Sequence, residues 1–219
     1  MAKLVECVPN FSVSREKDPA VFQGLVDTAN SIPGCFVFDV QSDGNHNRCV
    51  FTLLGSPEAM GEAAFQLTKK ATETIDMRRH TGQHPRMGAT DVIPFIPTMD
   101  TSVEECVELS KRVAARIWDE LRVPSFLYED SASRPERRNL AACRKGQFEG
   151  MPEKLLQPEG APDFGGGSIR LRASSPSAHG CRSSPTTSIS IPPTSRSQRR
   201  SQRLSAPRTA ALPAARPSA

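Results

Sequence analysis

The sharpest constraint on what this chain can fold into is a break in its composition. From Gly167 to Ala219 there is no Asp, Glu, Lys, Phe, Tyr or Trp, while the same stretch holds 9 Arg, 13 Ser and 7 Pro. So little bulky apolar surface cannot offset the entropy lost on ordering the segment. Any packed core must come from the preceding residues, and 166–219 reads as a disordered Ser/Pro/Arg-rich tail. The break also changes the meaning of the net charge. The 219 residues carry 28 basic and 24 acidic side chains, formally +4. With the nine tail arginines set aside, residues 1–166 hold 19 basic against 24 acidic groups, about −5. The basic character belongs to the tail, so nucleic-acid binding by the body is not expected.

Within the body, hydrophobic periodicity switches repeatedly between the strand and helix periods. "KLVECVPNF" is an apolar run closed by Pro9. Asp18-Pro19 supplies an N-cap and a proline at the first helical position, and Val21, Phe22, Leu25, Val26 and Ala29 share one face of a helix over 19–30. "CFVFDV" (35–40) and "CVFTLLG" (49–55) flank the turn-rich "QSDGNHNR", a hairpin with a long polar loop. Ser56-Pro57-Glu58 opens a second helix. "DVIPFIP" (91–97) reads as a strand with proline at its edge or end. Thr101 to Glu104 fits a capping box before a third helix. "SFLY" (125–128) is one more strand, and 138–144 a last short helix. The order β-α-β-β-α-β-α-β-α implies an α+β fold, a ferredoxin-like open sheet with helices packed on one face.

The six cysteines are dispersed, without a C-x-x-C pair, and several sit among apolar residues. That favours reduced, buried thiols and a cytoplasmic setting over a disulfide framework or a zinc cluster. The N-terminus turns polar too soon for a signal peptide, and no apolar run approaches the ~20 residues of a membrane span.

The chemistry concentrates in "HTGQHPRMGATDVIPFIP" (80–97). His80 and His84 stand four apart, as in a helical zinc site, but Gly82 and Pro85 oppose the helix that would aim both rings one way. No third ligand lies nearby, so no metal is expected. Two readings remain from the residues themselves: a solvated loop, or a rigid loop presenting His84 as a proton carrier beside Arg86, a carboxylate anchor. A second polar cluster ends a strand with Asp39, Asp43, Asn45, His46, Asn47 and Arg48, and Asn10 closes the first apolar run. These are either ordinary turns or the wall of a pocket.

At this point the motifs resemble a known family. "LVECVPNFS", "IPGCFVFDVQSDGNHNRCVFTLLG", "IDMRRHTGQHPRMGATDVIPFIP", "TSVEECVELS" and "YEDSASRPERRNLAACRKGQFEGM" are similar, in order, to the N-terminal subdomain of glutamate formiminotransferase (glutamate formimidoyltransferase), nearer the stand-alone prokaryotic form than the fused animal one. The resemblance implies a transferase that moves a formimino group from N-formimino-L-glutamate to N5 of tetrahydrofolate in histidine degradation. His84 becomes the general acid/base, and Asn10, Asp39, Asn47, Arg48, Arg86 and Gly165 substrate- or folate-binding residues. Tetrahydrofolate is the co-substrate, and no metal is implied. Residues 1–165 match the subdomain, leaving 166–219 as the tail.

Two departures stand out. The family's D-V-D pattern here has Gln41 in place of its second acid. After "PDFG" (162–165) the family continues into a folate-contacting loop and a second α/β subdomain, where this chain has the tail, which reads as a frameshifted remnant of that subdomain. A homodimer or a separate second subdomain would complete the site. The alternative is a truncated, non-catalytic folate- or partner-binding protein.

Overall fold

The computed structural model describes residues 2–165 and, by their backbone, 187–191. The first apolar run forms two short strands, β1 (Leu4–Cys7) and β2 (Asn10–Phe11), interrupted at Val8-Pro9. Helix α1 (Pro19–Asn30) starts where Asp18 accepts the Val21 N–H at 3.0 Å, and it buries Phe22, Leu25 and Ala29. The hairpin follows as β3 (Cys35–Asp43) and β4 (Arg48–Gly55). β4 alternates cleanly, burying Cys49, Phe51 and Leu53.

Helix α2 (Pro57–Thr74) is capped by Ser56 and buries Met60, Ala63, Ala64, Leu67 and Ala71. β5 (Thr90–Thr98) leads to α3 (Val103–Arg116), which runs on into a π-helical turn, Ile117–Leu121. β6 (Ser125–Glu129) is followed by a 3-10 turn (Pro135–Arg138) and two helices, α4 (Leu140–Arg144) and α5 (Gln147–Leu156).

β5, β1, β4 and β3 lie side by side and antiparallel, with β2 continuing the β1 position. This is the ferredoxin-like α+β arrangement the sequence implied, with β3 at one edge of the sheet. The long helices α1, α2 and α3 cover the core built on Phe11, Phe51, Leu53, Leu67 and Ile93. Phe11 and Phe51 meet edge to face, ring centroids 5.6 Å apart. The short helices add a second cluster in which Phe126 and Tyr128 pack with Met87, Val92, Cys143, Met151 and Leu155. Leu127 and Ile93 belong to the first cluster. Because neighbouring strand residues point to opposite faces, α4 and α5 sit on the other side of β5 and β6, so the expected packing of helices on one face holds for α1, α2 and α3 only.

Four expectations need correcting. The capping box is one residue later than read: Ser102 and Glu105 cap each other reciprocally. β5 is an inner strand despite its prolines, and Pro94 still accepts the Val8 N–H at 3.1 Å. Helix α5 was missed, since Gly146, Gly150 and Pro152 mask its periodicity. Within the tail, Thr187–Ile191 forms β7, parallel to and between β5 and β6. There Thr187, Ile189 and Ile191 alternate with serines, so five residues suffice for a strand pattern the tail's overall composition hides. The rest of 166–219, and the disorder expected of it, lies outside the described residues.

Cys7, Cys35, Cys49, Cys106 and Cys143 are free thiols. No helix among the described residues is long and apolar enough to cross a membrane.

Candidate active site

The loop between α2 and β5 is bound down at three places. Gln83 N–H donates to the Asn45 carbonyl, Asn47 Nδ2 donates to the Thr81 carbonyl at 3.0 Å, and Ser12 Oγ donates to the Gly88 carbonyl at 2.7 Å. Gly82 is required where the loop crosses the β3–β4 turn: a Cβ there would stand 2.3 Å from the His46 carbonyl oxygen. Asn47 holds its own turn in the left-handed region (φ 50°), with its side-chain oxygen accepting the Ser14 N–H.

His80 is half-buried and committed at both ring nitrogens. Its Nε2 lies 3.0 Å from the Asn47 carbonyl, and its Nδ1 accepts from Arg86 Nε at 3.1 Å. A nitrogen that accepts from arginine is unprotonated, so His80 is held as the neutral Nε2–H tautomer. Burial lowers its pKa, and the Arg86 charge adds to the effect. Arg86, itself 7 % exposed, spends its remaining donors on Gln147 and on Glu149, paired with the latter at 2.7 Å.

His84 is different. It is 6 % exposed, and its Nε2 lies 3.1 Å from Asp91 Oδ2. Asp91 is fully buried and also accepts the Met87 N–H and pairs with Arg144 Nη2. Burial is the largest influence on the Asp91 carboxyl and pushes its pKa up. The His84 hydrogen bond and the Arg144 guanidinium together outweigh it and hold the group below the usual carboxylate range. An ionised Asp91 fixes the proton on Nε2 and leaves the Nδ1 lone pair of His84 without a hydrogen-bond partner among the described residues. Pro85, next in the chain, lines a cleft of about 400 Å³ with Ala141, Arg144, Lys145, Gly146 and Gln147.

A sequence model of the formiminotransferase domain, N-terminal subdomain, matches residues 4–175. The chain belongs to this family. It is 62 % identical over 165 residues to glutamate formimidoyltransferase of Streptococcus pyogenes serotype M1, covering 75 % of this chain and 54 % of that protein. It is 43 % identical to the enzyme of the same name from Thermoplasma acidophilum, covering 74 % and 54 %, and 48 % identical to formimidoyltransferase-cyclodeaminase of Gallus gallus, covering 75 % and 30 %. The chain thus spans about half the length of the glutamate formimidoyltransferases it matches.

Seen within the family, the residues singled out from sequence divide into three groups. His84 bonds Asp91, Asn47 and Arg86 bond His80, and Arg48, half-buried at the start of β4, feels the charges of Asp43 and Asp91. Asn10 and Asp39 stand outside both: Asn10 Nδ2 donates to the Val8 carbonyl, and exposed Asp39 accepts from Gln41 at 2.9 Å. Gly165 (φ 103°) packs under Trp118, whose ring would stand 2.7 Å from a Cβ there. Sequence reasoning gave no role to Asp91, Arg144, Gln147 or Glu149. Asp91 had one visible signal, an acid opening an otherwise apolar strand. Arg144 had none. Among the described residues no group of three or more His, Cys, Asp or Glu could hold a metal ion.

Proposed function

We propose that the chain is the N-terminal part of a cytoplasmic glutamate formimidoyltransferase, moving a formimino group from N-formimino-L-glutamate to N5 of tetrahydrofolate, with His84 as the proton carrier. The observation that carries this reading is the His84–Asp91 pair: a buried imidazole oriented through Nε2, with Nδ1 left open, on the H-P-R-M-G segment of a family member.

The amidine carbon of the donor is already electrophilic, so the reaction needs no protein nucleophile. N5 attacks that carbon, and His84 Nδ1 removes the N5 proton. The tetrahedral adduct then breaks its bond to the glutamate nitrogen, which takes the proton back from the imidazolium. Glutamate leaves and the formimino group stays on N5. Asp91 would stabilise the imidazolium between the two transfers, as a buried carboxylate does for a paired histidine.

The test is turnover with both substrates, measured on the 219-residue chain alone and with the second half of a related enzyme supplied. Transfer in either format supports the reading. Tetrahydrofolate binding with no turnover in either would favour the non-catalytic alternative, which the chain's half-length coverage of its relatives keeps in play.

A further inference from the structure

Strand β7 fills a gap that the rest of the sheet leaves open. β5 and β6 run parallel and, among the described strands, are joined only through β7. Without it their facing edges would stand roughly 9–10 Å apart, two strand spacings. The residues bordering the gap are buried: Ile93 fully, and Val92, Phe126, Leu127 and Tyr128 nearly so. Their backbone N–H and C=O groups would be costly to leave there without partners, so the fold calls for a strand in this place. The register sets position 188 between Val92 and Phe126, 189 between Ile93 and Leu127, and 190 between Pro94 and Tyr128. Val92, Phe126 and Tyr128 belong to the cluster with α4 and α5, whereas Ile93 and Leu127 belong to the main core. An inner parallel strand covered on both faces suits an unbroken apolar run, yet this chain supplies Ser188 and Ser190. The mismatch follows the family boundary. β5 and β6 lie within the matched residues 4–175, and 187–191 lies beyond them.

We propose that the gap between β5 and β6 is a docking site for the half this chain lacks relative to glutamate formimidoyltransferases. It takes one strand of that half, apolar at both serine positions, and residues 187–191 are a displaceable stand-in. The assignment rests on the transferase reading above and on the chain's spanning 54 % of the Streptococcus pyogenes enzyme. Its consequence for the site follows from strand direction. A strand parallel to β5 enters the gap beside Val92, next to Asp91. The residues preceding it therefore arrive at the end of the sheet that carries the His84–Asp91 pair. Docking in this gap delivers the second half to the proton carrier.

Fluorescence anisotropy on the full chain tests this with a labelled peptide copying residues 185–193 but carrying Ser188→Val and Ser190→Val. In the chain itself, Ile189→Pro should loosen the stand-in by removing a ladder donor, and the double change Ser188→Val with Ser190→Val should tighten it. Affinity for the valine peptide should fall from Ile189→Pro to wild type to the double variant, by about tenfold or more at each step. A peptide that keeps both serines should bind about tenfold more weakly than the valine peptide. The separately produced second half of the Streptococcus pyogenes relative should follow the same order and be displaced by the valine peptide. Wild type against the double variant carries the test should Ile189→Pro fail to fold. Equal affinities across the folded chains, no binding of the valine peptide to any of them, or a second half indifferent to these variants overturns the docking site. A second half that docks in this order without ever giving transfer would keep the docking site and sink the transferase reading. Transfer that the valine peptide leaves untouched would do the reverse.

Discussion

Two histidines four residues apart on one loop sit in opposite electrostatic settings. Around His80, every polar group has found its partner: both ring nitrogens are taken, and Arg86 bridges the ring to Glu149 across to α5. Around His84, the groups are individually well placed but collectively incomplete, with an open imidazole nitrogen and an arginine N–H without an acceptor. Saturated networks hold shape, whereas unsaturated ones pay a desolvation cost that a ligand can relieve. On the proposed reading, the loop's rigidity comes from the first region and its chemistry from the second.

Breaking the unsaturated side at its centre should have the largest effect on stability. Asp91→Ala removes a fully buried carboxylate and strands Arg144, so it should cost about 3–5 kcal/mol in denaturant unfolding. On the saturated side, Arg86→Ala leaves the His80 ring and Gln147 without their donor and should cost about 1–3 kcal/mol. As the carboxylate anchor read from sequence, Arg86 would instead raise the Michaelis constant for its substrate when removed. The structure shifts that effect to lost stability, and a pure Michaelis-constant effect in a fully stable variant would break the comparison.

The same contrast sets a pH dependence. Because His80 has a lowered pKa in the fold, the unfolded chain takes up that proton first as pH falls below about 6.5. Its contribution to stability is therefore present above that pH and declines on acidification toward the folded value, by at most about 1.4 kcal/mol per pH unit. Unfolding curves at pH 7.5 and 5.5 should differ more for the wild type than for His80→Gln; equal differences would mean His80 is not the group. The smallest effect belongs to Gln41→Asp. Both Asp39 and Gln41 are exposed, so stability should change by no more than about 0.5 kcal/mol, with turnover unchanged or raised.

Much of the fold was legible because its elements announce themselves locally. Asp18-Pro19 and Ser56-Pro57 mark helix starts, and the β4 alternation is unambiguous. What escaped was set by tertiary context. "CFVFDV" looks like core, yet Phe36 and Phe38 stand 71 % and 81 % exposed, because β3 is an edge strand and an apolar run does not say which face is covered. β7 was hidden by the composition around it. In the site, His84 was visible from the stiff H-P-R context, but its partners were not. Arg144 lies 53 residues from Asp91 in sequence, and only the packing of α4 against β6 brings it there. Arg86 was legible as a fixed cation, but its partner Glu149 was not, since that acid sits in the helix that periodicity missed.

The central claim is that His84 moves the proton and His80 holds the loop. Single-turnover transfer by His84→Ala and His80→Ala, in whichever format the wild type is active, tests it most directly. His84→Ala should lose about 10²–10⁴ in rate, the usual worth of a positioned general acid–base. His80→Ala should lose far less once folded. Equal losses in two equally folded variants would contradict it, placing the proton carrier elsewhere and leaving the loop a purely structural role.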